Sequence, residues 1–309
     1  MDRPVVRYSN IIYDSGRWEG FQLRPDDIVI STPPKCGTTW TQMIAALLIF
    51  QTPDLPTPLA TLSPWLDMRT RARRDVVADL DAQTHRRFIK THTPLPGLPI
   101  RDGVTYICVG RDPRDVALSM DDHMANLDFG AFFAACAAAA AVDGVPTAVL
   151  PDGPPPGADR SDRERFWAWV MDDGPPTETT SCLNTTLEHV RTFWEAREVE
   201  NVVMLHYHDL KTDLPAQMRA LADRLGIEVP EDRWPTLVHA ATFDEMRRRS
   251  SITTPNTDTG LWRDNANFFR KGRSGAWREI LDDEESLQRY DDRVAALASP
   301  ELAAWMHRS

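Results

Sequence analysis

The stretch from Ile28 to Phe50 constrains this chain most. The apolar run Ile28-Val29-Ile30 is followed by the turn-rich STPPKCGTTW and then by the helix-like TQMIAALLIF. A short β-branched run, a Gly/Pro loop and a long apolar run read as strand, loop and helix. Three further runs repeat the theme. Phe88-Ile89 leads into KTHTPLP, where prolines stop any regular element, and VTYICVG (104–110) runs into RDPRDVALSM. There Asp112-Pro113 reads as a helix start with proline in the first turn. The fourth strand candidate is NVVMLHYHDL at 201–210. Buried strands alternating with helices predict an α/β fold, its central sheet mainly parallel and flanked by helices on both faces.

The 309 residues are long enough to bury a full core without disulfides or metals. No internal repeat is visible, and the chain reads as a single domain over 1–309. Its core spans about 25–280, with two regions that look like inserts at about 51–87 and 125–180. The second holds the apolar stretch FGAFFAACAAAAAV (129–142), 14 residues long and too short for a membrane span. That run is read as helix packing, with Phe132 and Phe133 as candidates for a pocket wall. Cys36, Cys108, Cys136 and Cys182 are widely spaced, framing neither a disulfide scaffold nor a zinc site. The start MDRPVVRYSN has no apolar signal region, so the expectation is a cytoplasmic protein. The net charge of −11 argues against nucleic acid as a partner. An anionic ligand would need a local cationic pocket in an acidic body.

Such a pocket has four candidate pieces. The loop PPKCGTTW has the form of a phosphate cradle: backbone N–H groups open at a helix N-terminus, Gly37 allows close approach, Lys35 adds a point charge, and Thr38 and Thr39 add hydroxyls. It is not the nucleotide-triphosphatase loop, since its lysine precedes the only glycine. Taken alone, the loop favours anion binding over the alternative of a plain helix cap after a buried strand. FIKTHTPLP places Lys90 and His92 two apart beyond a strand, pointing the same way. A histidine there can take a hydroxyl proton, and a lysine can stabilise a leaving group. In VGRDPRDVALS, Arg111 sits at a strand end and Ser119 two helical turns on, a pair able to bind a phosphate monoester unless the arginine pairs with Asp112 or Asp115. Arg270-Lys271-Gly272 is a weak basic patch. The chain has 4 lysines, and 3 of them (Lys35, Lys90 and Lys271) fall in these pieces, as if lysine were kept where a compact ammonium differs from a guanidinium.

TPPKCGTTW, IKTH, VGRDPRDVALS and RKGRSGAW, in this order and spacing, resemble the cytosolic-type sulfotransferase family, including its bacterial members. The resemblance spans about residues 25 to 280 and implies a P-loop, nucleotide-kinase-like fold. It also implies a sulfuryl donor, 3′-phosphoadenosine 5′-phosphosulfate (PAPS), with 3′-phosphoadenosine 5′-phosphate (PAP) as product. Carried over to this chain, Lys35, Gly37, Thr38 and Thr39 would hold the 5′-phosphosulfate, and Trp40 would stack on the adenine. Arg111 and Ser119 would hold the 3′-phosphate from one side, and Arg270, Lys271 and Gly272 from the other. Tyr207, Thr242 and Phe243 would contact the nucleotide. His92 would be the base, with Lys35 and Lys90 stabilising charge. No metal would be required, and the acceptor would be a small molecule bearing a hydroxyl.

Some residues depart from the family pattern. Cys36 replaces a common serine; it reads as a small filler, with a reactive low-pKa thiol as the alternative. Ala276 stands where relatives carry aspartate, and the tail WREILDDEE lacks the family's dimerisation motif, which leaves the oligomeric state open. An ATP-dependent kinase or NTPase, or a relative that binds nucleotide without turnover, are the rival readings.

Overall fold

The computed structural model describes residues 4–147, 159–255, 260–269 and 274–308. Four strands, β1 (Ile28–Ser31), β2 (Phe88–Thr91), β3 (Thr105–Gly110) and β4 (Val202–His206), form one sheet in the order β2-β1-β3-β4. Every pairing is parallel, with Ser31 opposite Thr91, Ile30 opposite Ile107 and Gly110 opposite His206. The strand ends therefore align at one edge, and the order turns back at β1, where open α/β sheets carry a ligand crevice.

Helix α1 (Thr38–Phe50) follows β1; α2 (Leu59–Leu62) and α3 (Arg73–Ala82) precede β2. Between β3 and β4 lie α4 (Pro113–Asn126), α5 (Phe129–Asp143), α6 (Asp162–Val170) and α7 (Leu183–Trp194). After β4 come α8 (Tyr207–Thr212), α9 (Leu214–Leu225), α10 (Trp234–Ala240), α11 (Phe243–Arg248) and α12 (Ser250–Thr253), then α13 (Glu284–Leu297) and α14 (Pro300–His307). The period of two along each strand divides the core between the faces. Ile28, Ile30, Ile107 and Val109 pack with Met43, Ile44 and Leu47 of α1. Val29, Ile89, Tyr106 and Cys108 pack with Leu183, Leu187 and Val190 of α7. Asp112 caps α4 by accepting from Arg114 N–H, with Pro113 in the first turn as expected.

Three expectations change in detail. The fourth strand ends at His206, and the chain passes at once into α8, whose first turn is capped by the His206 ring accepting from His208 N–H. A single 3-10 turn, Leu95–Gly97, follows the proline stop after His92. The region 51–87 is more than a surface insert. Its segment Pro64–Met68 touches β2 at one end, with Lys90 N–H donating to Pro64 O at 3.0 Å and Trp65 bridging Lys90 in parallel, then turns at Leu66-Asp67 so that Met68 bridges Tyr13. In the other insert, Phe132, Phe133 and Cys136 of α5 bury against Met68, Leu127 and Leu261. Most of PDGPPPGADR lies outside the described residues.

Candidate active site

The loop after β1 is shaped by two left-handed residues, Lys35 (φ 66°) and Gly37 (φ 107°). Gly37 is the N-cap of α1, and a Cβ there would stand 3.2 Å from the Tyr207 ring. Both its backbone angle and its surroundings call for glycine. Thr32 and Thr38 share a hydroxyl contact of 2.5 Å across the loop. Cys36 is fully buried, and burial pushes its thiol up to about 12 against the pull of Arg111. Both favour the filler over the reactive-thiol alternative, because the thiolate is the reactive form.

A cavity of about 620 Å³ opens over the strand ends. Its wall includes Lys35, Gly37, Thr38, Thr39, Trp40, Lys90, His92, Arg111, Ser119, Tyr207 and Phe243. Eleven positions singled out in the sequence are thus brought together. Thr242 lies beside this lining as the cap of α11, its hydroxyl donating to His239 O at 2.8 Å. Arg270, Lys271 and Gly272 lie outside the described residues; Phe269 and Ser274, on either side, line the cavity. Gly275 N–H donates to Asp115 Oδ1 at 2.8 Å.

The cations are held by neutral groups. Lys35 Nζ is 3.4 Å from His123 Nδ1 and lies over Phe268 at 4.9 Å. Burial, then the Arg111 charge, lowers its pKa to about 8, with Asp122 opposing. Lys90 Nζ lies 4.1 Å from the Trp65 ring centre, and burial followed by Lys35 lowers its pKa to about 7. The Arg111 guanidinium lies over Tyr207 at 4.4 Å, and one of its amino groups donates to Lys35 O at 2.8 Å. Its buried Nε has no partner among the described residues. Asp112 pairs with Arg114 at 2.8 Å and so does not consume Arg111. Trp40 Nε1–H donates to Ala241 O at 2.8 Å, which fixes the indole edge-on to Tyr207.

His92 is buried, with Nδ1 2.6 Å from the Thr32 carbonyl. A carbonyl only accepts, so Nδ1 carries the hydrogen and Nε2 keeps its lone pair. Burial, then Lys90, pushes its pKa well below the ordinary imidazole value, which keeps the ring neutral. The Nε2 lone pair is therefore free at neutral pH.

Three lining residues were not legible in the sequence. His123 stands four residues beyond Ser119 and eight beyond Asp115, so α4 presents all three to the cavity as one stripe. That spacing was the available signal. Trp65 and Trp262 had none: Trp65 comes from a Pro-rich piece, and Trp262, 4.8 Å from His123, comes from far down the chain. With Ile12, Tyr13, Met68, Leu127 and Phe132 they make the far side of the cavity apolar and aromatic. Phe132 lines the cavity as one candidate, whereas Phe133 packs behind it.

Comparison with known proteins is consistent with this geometry. Residues 25–307 match the protein-family model described as "Sulfotransferase domain". A glycolipid sulfotransferase of Mycobacterium bovis (strain BCG / Pasteur 1173P2) is 43% identical over 99% of this chain and 94% of its own length. Human sulfotransferase 1E1 is 28% identical over 89% of this chain and 84% of its own length. Among solved structures, retinol dehydratase in complex with androsterone and inactive cofactor PAP superposes with a TM-score of 0.66 at 22% identity, covering 94% of this chain and 89% of that one. A mouse sulfotransferase complexed with PAP gives 0.65 at 19% identity, covering 94% and 90%. At those identities the likeness concerns the fold.

Proposed function

The chain belongs to the sulfotransferase domain family, and from that premise we propose that it moves the sulfuryl group of PAPS onto a hydroxyl of an acceptor with an apolar part. A glycolipid is the leading class, because that is the acceptor class named for the 43% identical relative. The observation that carries the reading is His92. Its Nδ1 is committed to the Thr32 carbonyl, so Nε2 faces the reaction as a base, two residues from Lys90.

The donor nucleotide supplies an activated sulfuryl group. The residues present fit it: the orphaned Arg111 Nε asks for an acceptor such as a 3′-phosphate oxygen, and Ser119 lines the same cavity. Lys35, Gly37, Thr38 and Thr39 would bind the 5′-phosphosulfate at the start of α1, where the helix dipole adds to the lysine. Trp40, Tyr207, Thr242 and Phe243 would border the adenine, and Arg270, Lys271 and Gly272 would close on the 3′-phosphate. His92 takes the acceptor proton at Nε2. Lys35 stabilises the bridging oxygen as it gains charge, and Lys90 stabilises the sulfuryl oxygens. In-line positioning and charge stabilisation are what such a transfer asks of a protein. A sulfuryl group carries less charge than a phosphoryl group, so these cations suffice and no metal is called for. The aromatic far wall suits a ring or chain on the acceptor. No helix among the described residues is long and apolar enough to cross a membrane.

A thermal-shift comparison of PAP, AMP, and ATP with Mg²⁺ tests the donor. Stabilisation is expected from PAP above the others, and a larger shift from ATP with Mg²⁺ would favour the kinase reading instead. Labelled PAPS with octyl β-glucoside and 4-nitrophenol then separates glycolipid-like from phenolic acceptors.

A further inference from the structure

We infer that Asp67, which does not line the cavity, is the positioning residue for both Lys90 and His92. This rests on the reading above, in which those two groups act at the reacting centre. Asp67 is fully buried. Its Oδ2 accepts hydrogen bonds from Trp18 Nε1 (2.8 Å), Thr91 Oγ1 (2.6 Å) and Thr93 Oγ1 (2.6 Å). Its Oδ1 accepts from Trp65 Nε1 at 2.6 Å.

Thr91 and Thr93 alternate with Lys90 and His92 along one extended segment, so the carboxylate grips that segment from the side opposite the cavity. Trp65 acts from the cavity side. Its ring lies under Lys90 Nζ at 4.1 Å and meets the His92 ring edge-on at 4.5 Å. One carboxylate thus fixes both groups by two routes, through their chain neighbours and through a shared indole.

The donor set also favours the ionised form. Neither indole can accept a hydrogen bond, and Thr91 Oγ1 already accepts from Thr93 N–H at 2.8 Å. Burial, the larger influence, leaves the carboxyl above its ordinary range even though all four side-chain donors pull the other way. The charged and titratable groups around Lys90 are Lys35 from the β1 loop, Asp67 from the segment beside β2, and the neutral imidazoles of His92 and His123. Burial and Lys35 disfavour the Lys90 ammonium, and Asp67 favours it. Asp67 is therefore a counter-charge as well as a clamp.

The chain has four lysines, so protein made with ¹³Cε-labelled lysine gives a small set of side-chain signals, and Lys90→Arg assigns the one in question. In Asp67→Asn the Lys90 titration midpoint is expected to move to lower pH by about one unit. Turnover of octyl β-glucoside with PAPS is expected to fall at least about 10-fold in kcat, with KM for PAPS nearly unchanged. A retained thermal shift with PAP shows that the variant is folded. Should Asp67→Asn fail to fold, the double variant Thr91→Val/Thr93→Val keeps the charge and loosens the grip. It should leave the Lys90 midpoint in place and still lower kcat. An unmoved Lys90 midpoint in folded Asp67→Asn, or kcat within about threefold of wild type in the variant that folds, overturns the inference. Failure of the functional reading is distinguishable: His92→Ala would then keep turnover, while the lysine titration, which needs neither donor nor acceptor, still decides the role of Asp67.

Discussion

Lys35 and Lys90 stand near the ends of neighbouring strands, each with its ammonium over an aromatic ring, yet they are held in different ways. Lys90 lies on β2 itself, beside His92 on the same extended segment, with Trp65 and Asp67 supplied by an adjoining segment that bridges β2 at Trp65. Lys35 lies in a loop with a left-handed backbone and meets His123 from α4 and Phe268 from a much later segment. One pair is braced locally by the sheet. The other is assembled from three distant parts of the chain and owes its orientation to weaker contacts. In the proposed reaction the group that would point a lone pair at one atom, His92, sits on the braced side, and Lys35, on the looser side, has a long flexible stem that tolerates adjustment.

The largest effect that tests this contrast is expected from His92→Ala. Turnover should fall by about 10²–10⁴ while PAP affinity stays near wild type. A large loss of PAP binding would show that His92 supports the donor loop through Thr32, and the two sides would no longer be separate. Arg111→Ala comes next. Removing charge-assisted bonds to a 3′-phosphate should weaken PAP by about 10- to 100-fold. Adenosine 5′-phosphosulfate, which lacks that phosphate, should be weakened much less, and isothermal titration of both ligands checks the difference. Equal weakening would mean that Arg111 acts only by holding the Lys35 carbonyl. His123→Asn should have the smallest effect, about 2- to 10-fold on kcat, because it trims one neutral contact to Lys35. A loss as large as that of His92→Ala would erase the contrast and make the second imidazole an equal partner.

The same contrast governs what was legible in the sequence. Lys35, Gly37, Lys90, His92 and Arg111 follow strands whose apolar runs announce them, so local pattern and family resemblance located them together. β1 and β3 were readable for the same reason. The end of β4 was not, because the cap that stops it is a ring nitrogen of His206 bonding two residues ahead, which composition does not signal. His123 is recoverable from the four-residue step after Ser119. Trp65, Asp67 and Trp262 are not, since their roles arise from tertiary contacts between pieces that look like loops in isolation. The alanine run of α5 behaved as helix packing except at Phe132, and only the folded neighbours decide which phenylalanine faces the cavity.

The segment Pro64–Met68 has one more consequence. By bonding Lys90 N–H through the Pro64 carbonyl and bridging β2 at Trp65, it occupies part of the outermost strand's open ladder. An unpaired strand edge is a template for pairing with another chain. Whatever dislodges this segment therefore exposes a self-association surface in the same event that releases Trp65 and Asp67 from Lys90 and His92. Loss of that arrangement and aggregation would begin together, so colloidal stability in this protein reports on the integrity of the strand that carries Lys90.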